Sequence, residues 1–416
     1  MKYLLSQNAL HTNDPVEVSL PDTWDVAYHG MKGDELSALT RGQIKKRLNT
    51  PYGLPPLKAL ARGKDQVAIV FDDNSRGTPT QIMAEVVLEE LLAAGIVKRN
   101  IRFLCALGTH AAQNRLDFVA KLGEEIVSEY LVFNHNCYEN NVQIGVTKRG
   151  FPVCINAELM KCDLKIGLGG IVPHPFNGFG GGGKLLFPGM ASIETVEQNH
   201  KTAIDALSAS GKNPLTALGD LSNDGMRLEV EEMTRMVGGF FKLDALYNTR
   251  LELVDLYCGD PIEAYYEGVK AAQKVYAAEA MPEKDIVIVN ANAKANEAAL
   301  ALFCGAMQVK KTGGGDLVLV NHARGGQIAH YLLGAFGKTT GGRMWSKMPT
   351  ELPFLDRIIY FPPHTDLASC MWFGEHEKVV FAKNWGEVME LLKQRHSDHA
   401  TVGIMADGTI QYTPEA

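Results

Sequence analysis

The chain has 416 residues, 46% of them hydrophobic and 21% charged, which is enough apolar material for one or two buried cores and a length that favours two domains. A formal net charge of −7, with no stripe of Lys and Arg among aromatics, argues against nucleic acid or an anionic membrane as the main partner. The apolar run at Leu4 and Leu5 is too short for a signal peptide, no membrane-spanning stretch occurs, and seven cysteines free of C-x-x-C spacing point to a reducing cytoplasm without disulfides or structural zinc.

From Gln66 the sequence alternates short β-branched runs with longer helical stretches. Gln66 to Phe71 reads as a strand, Thr80 to Ala94 as a helix and Ile101 to Leu107 as a second strand. Leu131 to Phe133 and Leu164 to Leu168 add apolar runs, with a hairpin expected around Lys148 to Gly150. Leu251 to Leu256 is strand-like, Pro261 to Ala280 reads as an amphipathic helix with proline in its first turn, and Met281 to Lys284 as a linker. A second series follows through Asp285 to Val289, a helix from Asn296 to Met307, Leu317 to Val320, Ile358 to Phe361, a helix from Trp385 to Arg395, and Val402 to Ile404. Such alternation favours parallel sheets covered by helices. The expected fold is α/β, with two α/β domains (1–280 and 281–416), mainly parallel sheets and a site in the cleft between them.

Ligands of open α/β sheets bind beyond the carboxyl ends of the strands, so the loops there carry the most information. The first strand runs into Asp73-Asn74-Ser75-Arg76, the second into Gly108-Thr109-His110, and the run ending at Leu168 into a segment holding His174, Gly180 to Gly183 and Lys184. His200 closes a helix expected to open at Ser192. Four consecutive glycines give up backbone entropy and packing, which suggests a ligand against the backbone. Gly178 to Lys184 satisfies G-x-x-x-x-G-K, yet Leu185 replaces the hydroxyl residue of a phosphate loop and Pro188-Gly189 would stop its helix.

Each of these residues also has a plain structural reading. A lysine is by default solvated, but Gly183 and Leu185-Leu186-Phe187 flank Lys184, and desolvation lowers a lysine pKa toward nucleophilic use. A single histidine is usually structural; three at one sheet edge suit acid–base work or a soft divalent metal. Arg76 either clamps a carboxylate or closes an Asx turn. Gln308 and Lys311 lie beside Gly313 to Gly315, which fits helix capping or a contribution to the cleft. Met307, Trp345, Trp372 and Phe373 are candidate pocket walls.

Together these residues resemble the nickel-dependent lactate racemase family, 2-hydroxyacid racemases and epimerases that use a nickel-pincer nucleotide. The resemblance rests on Asp73-x-x-Arg76, Gly108-Thr109-His110, Pro173-His174, Gly181-Gly182-x-Lys184 with Pro188-Gly189, Asn199-His200 and Gln308-x-x-Lys311, in that order along the chain. It implies that Lys184 holds the cofactor, pyridinium-3-thioamide-5-thiocarboxylic acid mononucleotide with Ni(II), as a thioamide, with Asp73, Gly181, Gly182 and Gly183 also contacting it. His200 would complete the nickel coordination. His110 and His174 would be the acid–base pair, and Arg76, Gln308 and Lys311 would orient the substrate carboxylate.

The reaction so implied is inversion of C2 of a 2-hydroxy acid by proton-coupled hydride transfer. Lactate is the default substrate, with malate, longer or aromatic hydroxy acids and sugar acids open. The implied partners are that small acid and the proteins that make the cofactor, while assembly as a homo-oligomer is left open. Two rival readings keep the fold: a cofactor-independent lyase or hydrolase using His110 and His174, and a binding protein for a nucleotide-like ligand.

Overall fold

The computed structural model describes residues 1–8, 10, 14–210, 218–219, 221, 225–344, 352–368, 370–373 and 378–414. Twelve strands make up two six-stranded sheets. In chain order they are β1 (Asp25–His29), β2 (Val67–Asp72), β3 (Ile101–Ala106), β4 (Leu131–Asn134), β5 (Leu164–Gly170), β6 (Phe240–Tyr247), β7 (Leu253–Gly259), β8 (Ile286–Asn290), β9 (Gly315–Val320), β10 (Leu355–Phe361), β11 (Val379–Phe381) and β12 (Thr401–Met405). The first sheet has the order β7-β6-β5-β2-β3-β4 and the second β11-β10-β9-β8-β12-β1. All neighbours are parallel except β6 and β7. The expected α/β class with mainly parallel sheets is what the chain adopts.

The central strands read as continuous apolar runs because both of their faces are covered. In β2, Val67, Ile69 and Phe71 enter one core while Ala68 and Val70 enter another. In β8 the same alternation sends Ile286 and Ile288 to one side and Val287 and Val289 to the other. Each large side chain fully buried in this way stabilises the fold by roughly 1.5–3 kcal/mol. The hairpin expected around Lys148 is present, with Asn141–Val146 paired to Pro152–Asn156. Among the described residues no helix is long and apolar enough to cross a membrane.

Two elements differ from the sequence reading. β1 pairs with β12, Asp25 opposite Thr401, and Leu5, Val16, Val18, Leu20 and Trp24 join the core of the second sheet. A single cut near residue 280 therefore does not separate the sheets, because Asp25–His29 completes the second one. The helix expected to reach Ala280 spans Glu263–Val275. It stops there because Ala277 and Ala278 turn to pair with other backbone: Ala277 accepts from Lys32 and Ala278 donates to Tyr412.

Candidate active site

Both sheets reverse their winding at a central strand. In the first, the chain leaves β2 toward β3 and β4 on one side and β5 lies on the other; in the second, β8 stands between β9 and β12. Crevices form at the carboxyl ends of such strands. The two carboxyl ends face each other, as shown by an ion pair from Arg76 after β2 to Glu297 after β8 and by a backbone bridge between His110 and His330.

Three side chains of the β2 and β3 loops interlock. Asp73, 2% exposed, accepts from Ser75 N at 3.1 Å and Ser75 Oγ at 2.5 Å through Oδ1, while its Oδ2 stands 2.6 Å from Nδ1 of His110. Burial opposes charge on both partners, but their mutual attraction outweighs it: the Asp73 carboxyl is held well below its ordinary range and the His110 imidazole is raised above its own. Asp73 therefore orients and charges His110. Both of its oxygens are engaged by protein groups. Arg76 reaches across the cleft, where its Nη1 lies 2.5 Å from Glu297 Oε2 and 2.8 Å from Ser75 Oγ.

His174 and Lys184 face each other across the glycine segment. Nδ1 of His174 accepts from Phe176 N at 3.1 Å, which leaves the proton of the neutral ring on Nε2, 3.0 Å from Lys184 Nζ. A donor there requires a neutral amine. The electrostatics agree, since burial, with the charges of Arg227 and Arg76, pushes Lys184 well below the ordinary lysine value. Burial, with Lys184, Lys294 and Arg76 nearby, likewise keeps His174 uncharged.

The glycines serve packing. Gly181 and Gly182 have φ of 92° and 58°, and a Cβ on them would lie 2.5 Å from Ile171 and 2.7 Å from the Pro261 carbonyl. A Cβ on Gly183 would lie 2.1 Å from Thr234 Oγ1. Gly182 N donates to Asp244, whose charge is met by Lys242 at 2.7 Å, and Arg227 donates to the carbonyls of Phe179 and Gly181. Protein thus fills the space that a side chain would take at each of these three glycines.

His200 lies inside the helix Ile193–Ser210, earlier along it than the expected helix end. Its Nδ1 donates to the Val196 carbonyl at 2.9 Å, which fixes the tautomer and leaves the Nε2 lone pair open among the described residues. Burial lowers it to about 4. A neutral imidazole with one fixed N–H is the form a metal binds. Among the described residues no three His, Cys, Asp or Glu side chains converge as a metal site, so a metal at His200 would draw its other donors from a bound group.

The second sheet contributes residues that sequence reasoning passed over. Lys294, 2% exposed, stands in the loop after β8, which Asp407 shapes by accepting from Ala293 N and Thr409 Oγ1. Burial, with the Arg76 charge, lowers Lys294 to about 8. Glu297 follows one turn later, with Oε1 3.8 Å from His110 Nε2. The His330 ring packs edge-on to His110 with centroids 4.9 Å apart, its Nδ1 accepting from Leu332 N and Leu333 N. The signal available in the sequence was position: Asn290 ends a strand and Lys294 lies four residues on, as Arg76 lies four residues after Asp72.

Gln308 and Lys311 are not brought to this cleft. The helix Ala299–Ala306 runs back along β8, so Gln308 accepts from Lys284 N ahead of that strand and its residue lines a separate cavity of ≈160 Å³ with Cys304, Met307 and Tyr412. Lys311 Nζ caps the helix end, donating to the carbonyls of Ala306, Met307 and Val309. Neither side chain faces the cleft as expected, whereas Lys294 stands there beside Arg76. Of the candidate walls, Trp372 lies 6.3 Å from the His330 ring, Phe373 is buried against Tyr360, Met307 lines that separate cavity, and Trp345 lies outside the described residues.

Residues 11–211 match the lactate racemase N-terminal domain. Lactate racemase from Thermoanaerobacterium thermosaccharolyticum is 28% identical over 249 residues, 59% of this chain and 57% of that protein. Lactate racemase from Lactiplantibacillus plantarum is 27% identical over 290 residues, 68% of this chain and 66% of that protein. The matched part thus spans less than two thirds of either relative. The structure of the lactate racemase apoprotein from T. thermosaccharolyticum superposes with a TM-score of 0.71 at 21% identity, covering 100% of both chains. A crystal structure of a protein from Thermotoga maritima does so with 0.64 at 17% identity, covering 90% of this chain and 98% of that one.

Proposed function

We propose that the chain, whose residues 11–211 match the lactate racemase N-terminal domain, is an isomerase of that family inverting C2 of a 2-hydroxy acid with a nickel-pincer nucleotide attached to Lys184. The observation that carries this reading is the hydrogen bond from His174 to Lys184 at 3.0 Å, which demands an unprotonated lysine at neutral pH. A neutral amine is what forms an amide-type bond to a carboxyl or thiocarboxyl group. His200 supports the same fit, because it presents one fixed lone pair of the kind Ni(II) accepts. When bound, the nucleotide would supply a reversible acceptor for the C2 hydrogen and its electron pair.

The chain's own residues handle the proton and the anchoring. Two imidazoles with oppositely shifted pKa values define an acid and a base. His110, charged by Asp73, gives a proton from Nε2 to the substrate oxygen on one face, since Nδ1 is held by the carboxylate. His174 stands as the second proton-handling group on the opposite face, able to take up the hydroxyl proton at Nε2 once the proton it carries there has been released. Two such groups are needed because the hydroxyl points to opposite sides in the two enantiomers. Arg76 and Lys294 anchor the carboxylate while the carbon inverts.

The test is purification from a host that makes the cofactor. Nickel stoichiometric with the chain, added mass on the Lys184 peptide, and loss of optical rotation from a single-enantiomer 2-hydroxy acid are expected. Racemisation by protein whose Lys184 is unmodified, or by the Lys184→Ala variant, would instead favour the cofactor-independent reading.

A further inference from the structure

We propose that Glu297 fits this site to a monocarboxylic 2-hydroxy acid carrying a further hydroxyl at C3, in preference to acids whose C3 is a methyl or leads to a second carboxylate. The inference rests on the racemase reading above and names its substrate class. It begins from a conflict within the site: Arg76, the guanidinium expected to clamp the substrate carboxylate, already holds a protein carboxylate, with Nη1 2.5 Å from Glu297 Oε2. Ser75 Oγ and the Ser75 carbonyl accept from that same Nη1, at 2.8 and 3.0 Å. Nε and Nη2 of Arg76 make no hydrogen bond to the described residues, so the planar fork can hold Glu297 and a substrate carboxylate together, with Lys294 as second anchor.

The other oxygen of Glu297 decides the matter. Oε1 stands 3.8 Å from His110 Nε2, too far for a hydrogen bond, and accepts from nothing else among the described residues. It thus lies beside the nitrogen that exchanges the C2 hydroxyl proton. A gap of 3.8 Å is spanned by two vicinal hydroxyls, one on each atom, with hydrogen bonds of about 2.8 Å. Once substrate has displaced water, an acceptor there needs a donor. A C3 hydroxyl provides one, whereas the methyl of lactate shields that oxygen from water without giving it a hydrogen-bond donor. A site built to hydrogen-bond a hydroxyl rejects the analogue lacking it, by up to about 10⁴-fold in favourable cases. A second substrate carboxylate meets like charge at the same place.

The experiment compares the single enantiomers of glycerate, lactate and malate by titration calorimetry on cofactor-free protein, then by loss of optical rotation with holoenzyme. Glycerate is expected to bind about tenfold or more tightly than lactate, with malate weakest. Glu297→Leu is expected to reverse the order of glycerate and lactate, and Glu297→Gln, which keeps an amide oxygen in place, to preserve it in weakened form. Should the leucine variant not fold, the glutamine variant and the wild-type order carry the test. Equal binding of glycerate and lactate by wild type overturns the proposal. So does tightening of all three acids alike in Glu297→Leu, which would make Glu297 a mere competitor for Arg76. Failure of the racemase reading shows separately, as absence of rotation loss from every acid while the binding order still reports on Glu297.

Discussion

Asp73 Oδ2 and His110 Nδ1 lie 2.6 Å apart, and this contact makes His110 unlike the other histidines of the cleft. His174, His200 and His330 are all lowered by burial, whereas His110 is raised. Asp73→Asn is expected to return His110 toward or below the ordinary imidazole value and to cost about 2 kcal/mol of stability. The sign follows from linkage. The raised His110 contributes stability that is fully present below the ordinary value of about 6.5 and is lost as pH rises through its folded value. The depressed Asp73 contributes above the ordinary carboxylate range and loses its share only in strong acid. Denaturant melts across pH should therefore fall through and above neutrality in wild type and be flatter in the variant. An unchanged His110 titration by NMR in Asp73→Asn would refute the pairing.

Lys184 should react as a free amine. At neutral pH exposed lysines, with values near 10.4, are almost wholly protonated, while burial and the charges of Arg227 and Arg76 push Lys184 well below that range. A small activated ester is expected to acylate Lys184 of the cofactor-free protein before the others, and to go on doing so as pH is lowered toward neutrality. Peptide mass spectrometry reads the outcome, and labelling of Lys184 no faster than of Lys45 or Lys270 would contradict the neutral state.

Substrate anchoring separates Lys294 from Lys311. Lys294→Ala is expected to raise KM for a 2-hydroxy acid by about 30- to 100-fold, the loss of one charge-assisted hydrogen bond. Gln308→Ala and Lys311→Ala should leave KM within about twofold, since neither side chain faces the cleft. In wild type, kcat/KM should decline as pH rises through about 8, where Lys294 of the free enzyme loses its proton. Steady-state kinetics over pH decide both points.

Gly183→Ala tests whether the glycine run serves packing. The added methyl would meet Thr234 Oγ1 at 2.1 Å and Val230 at 3.2 Å, an overpacking expected to cost about 2 kcal/mol. Thr234→Ala in the same chain removes the nearer contact and should recover part of that loss. Thermal unfolding of the single and double variants provides the cycle, and additive effects would mean that the two positions do not touch.

Residues close together in sequence, or placed just beyond a strong strand, were legible from the sequence. β2 and β3 announce themselves as apolar runs buried on both faces, so Arg76 and His110 fall at their carboxyl ends by chain order alone. His174, Lys184 and His200 share one segment, and the local backbone then fixes their tautomers through Phe176 N and the Val196 carbonyl. Spacing failed where a helix intervened. Gln308-x-x-Lys311 looked like an anchor, but helix Ala299–Ala306 carries it back to the start of β8, and only the path of that helix reveals this.

What the sequence by itself determined is the set of chemical groups and the sheet ends that display them, because strand and loop patterns are local. Only the tertiary structure decided how those groups are charged and which of them meet. Asp73 raises His110, burial lowers Lys184, β1 crosses to the second sheet, and Glu297 reaches Arg76 from 221 residues away. Each of these depends on desolvation and on distances of a few ångströms between residues remote in the chain, and both arise only when the two sheet ends are brought face to face.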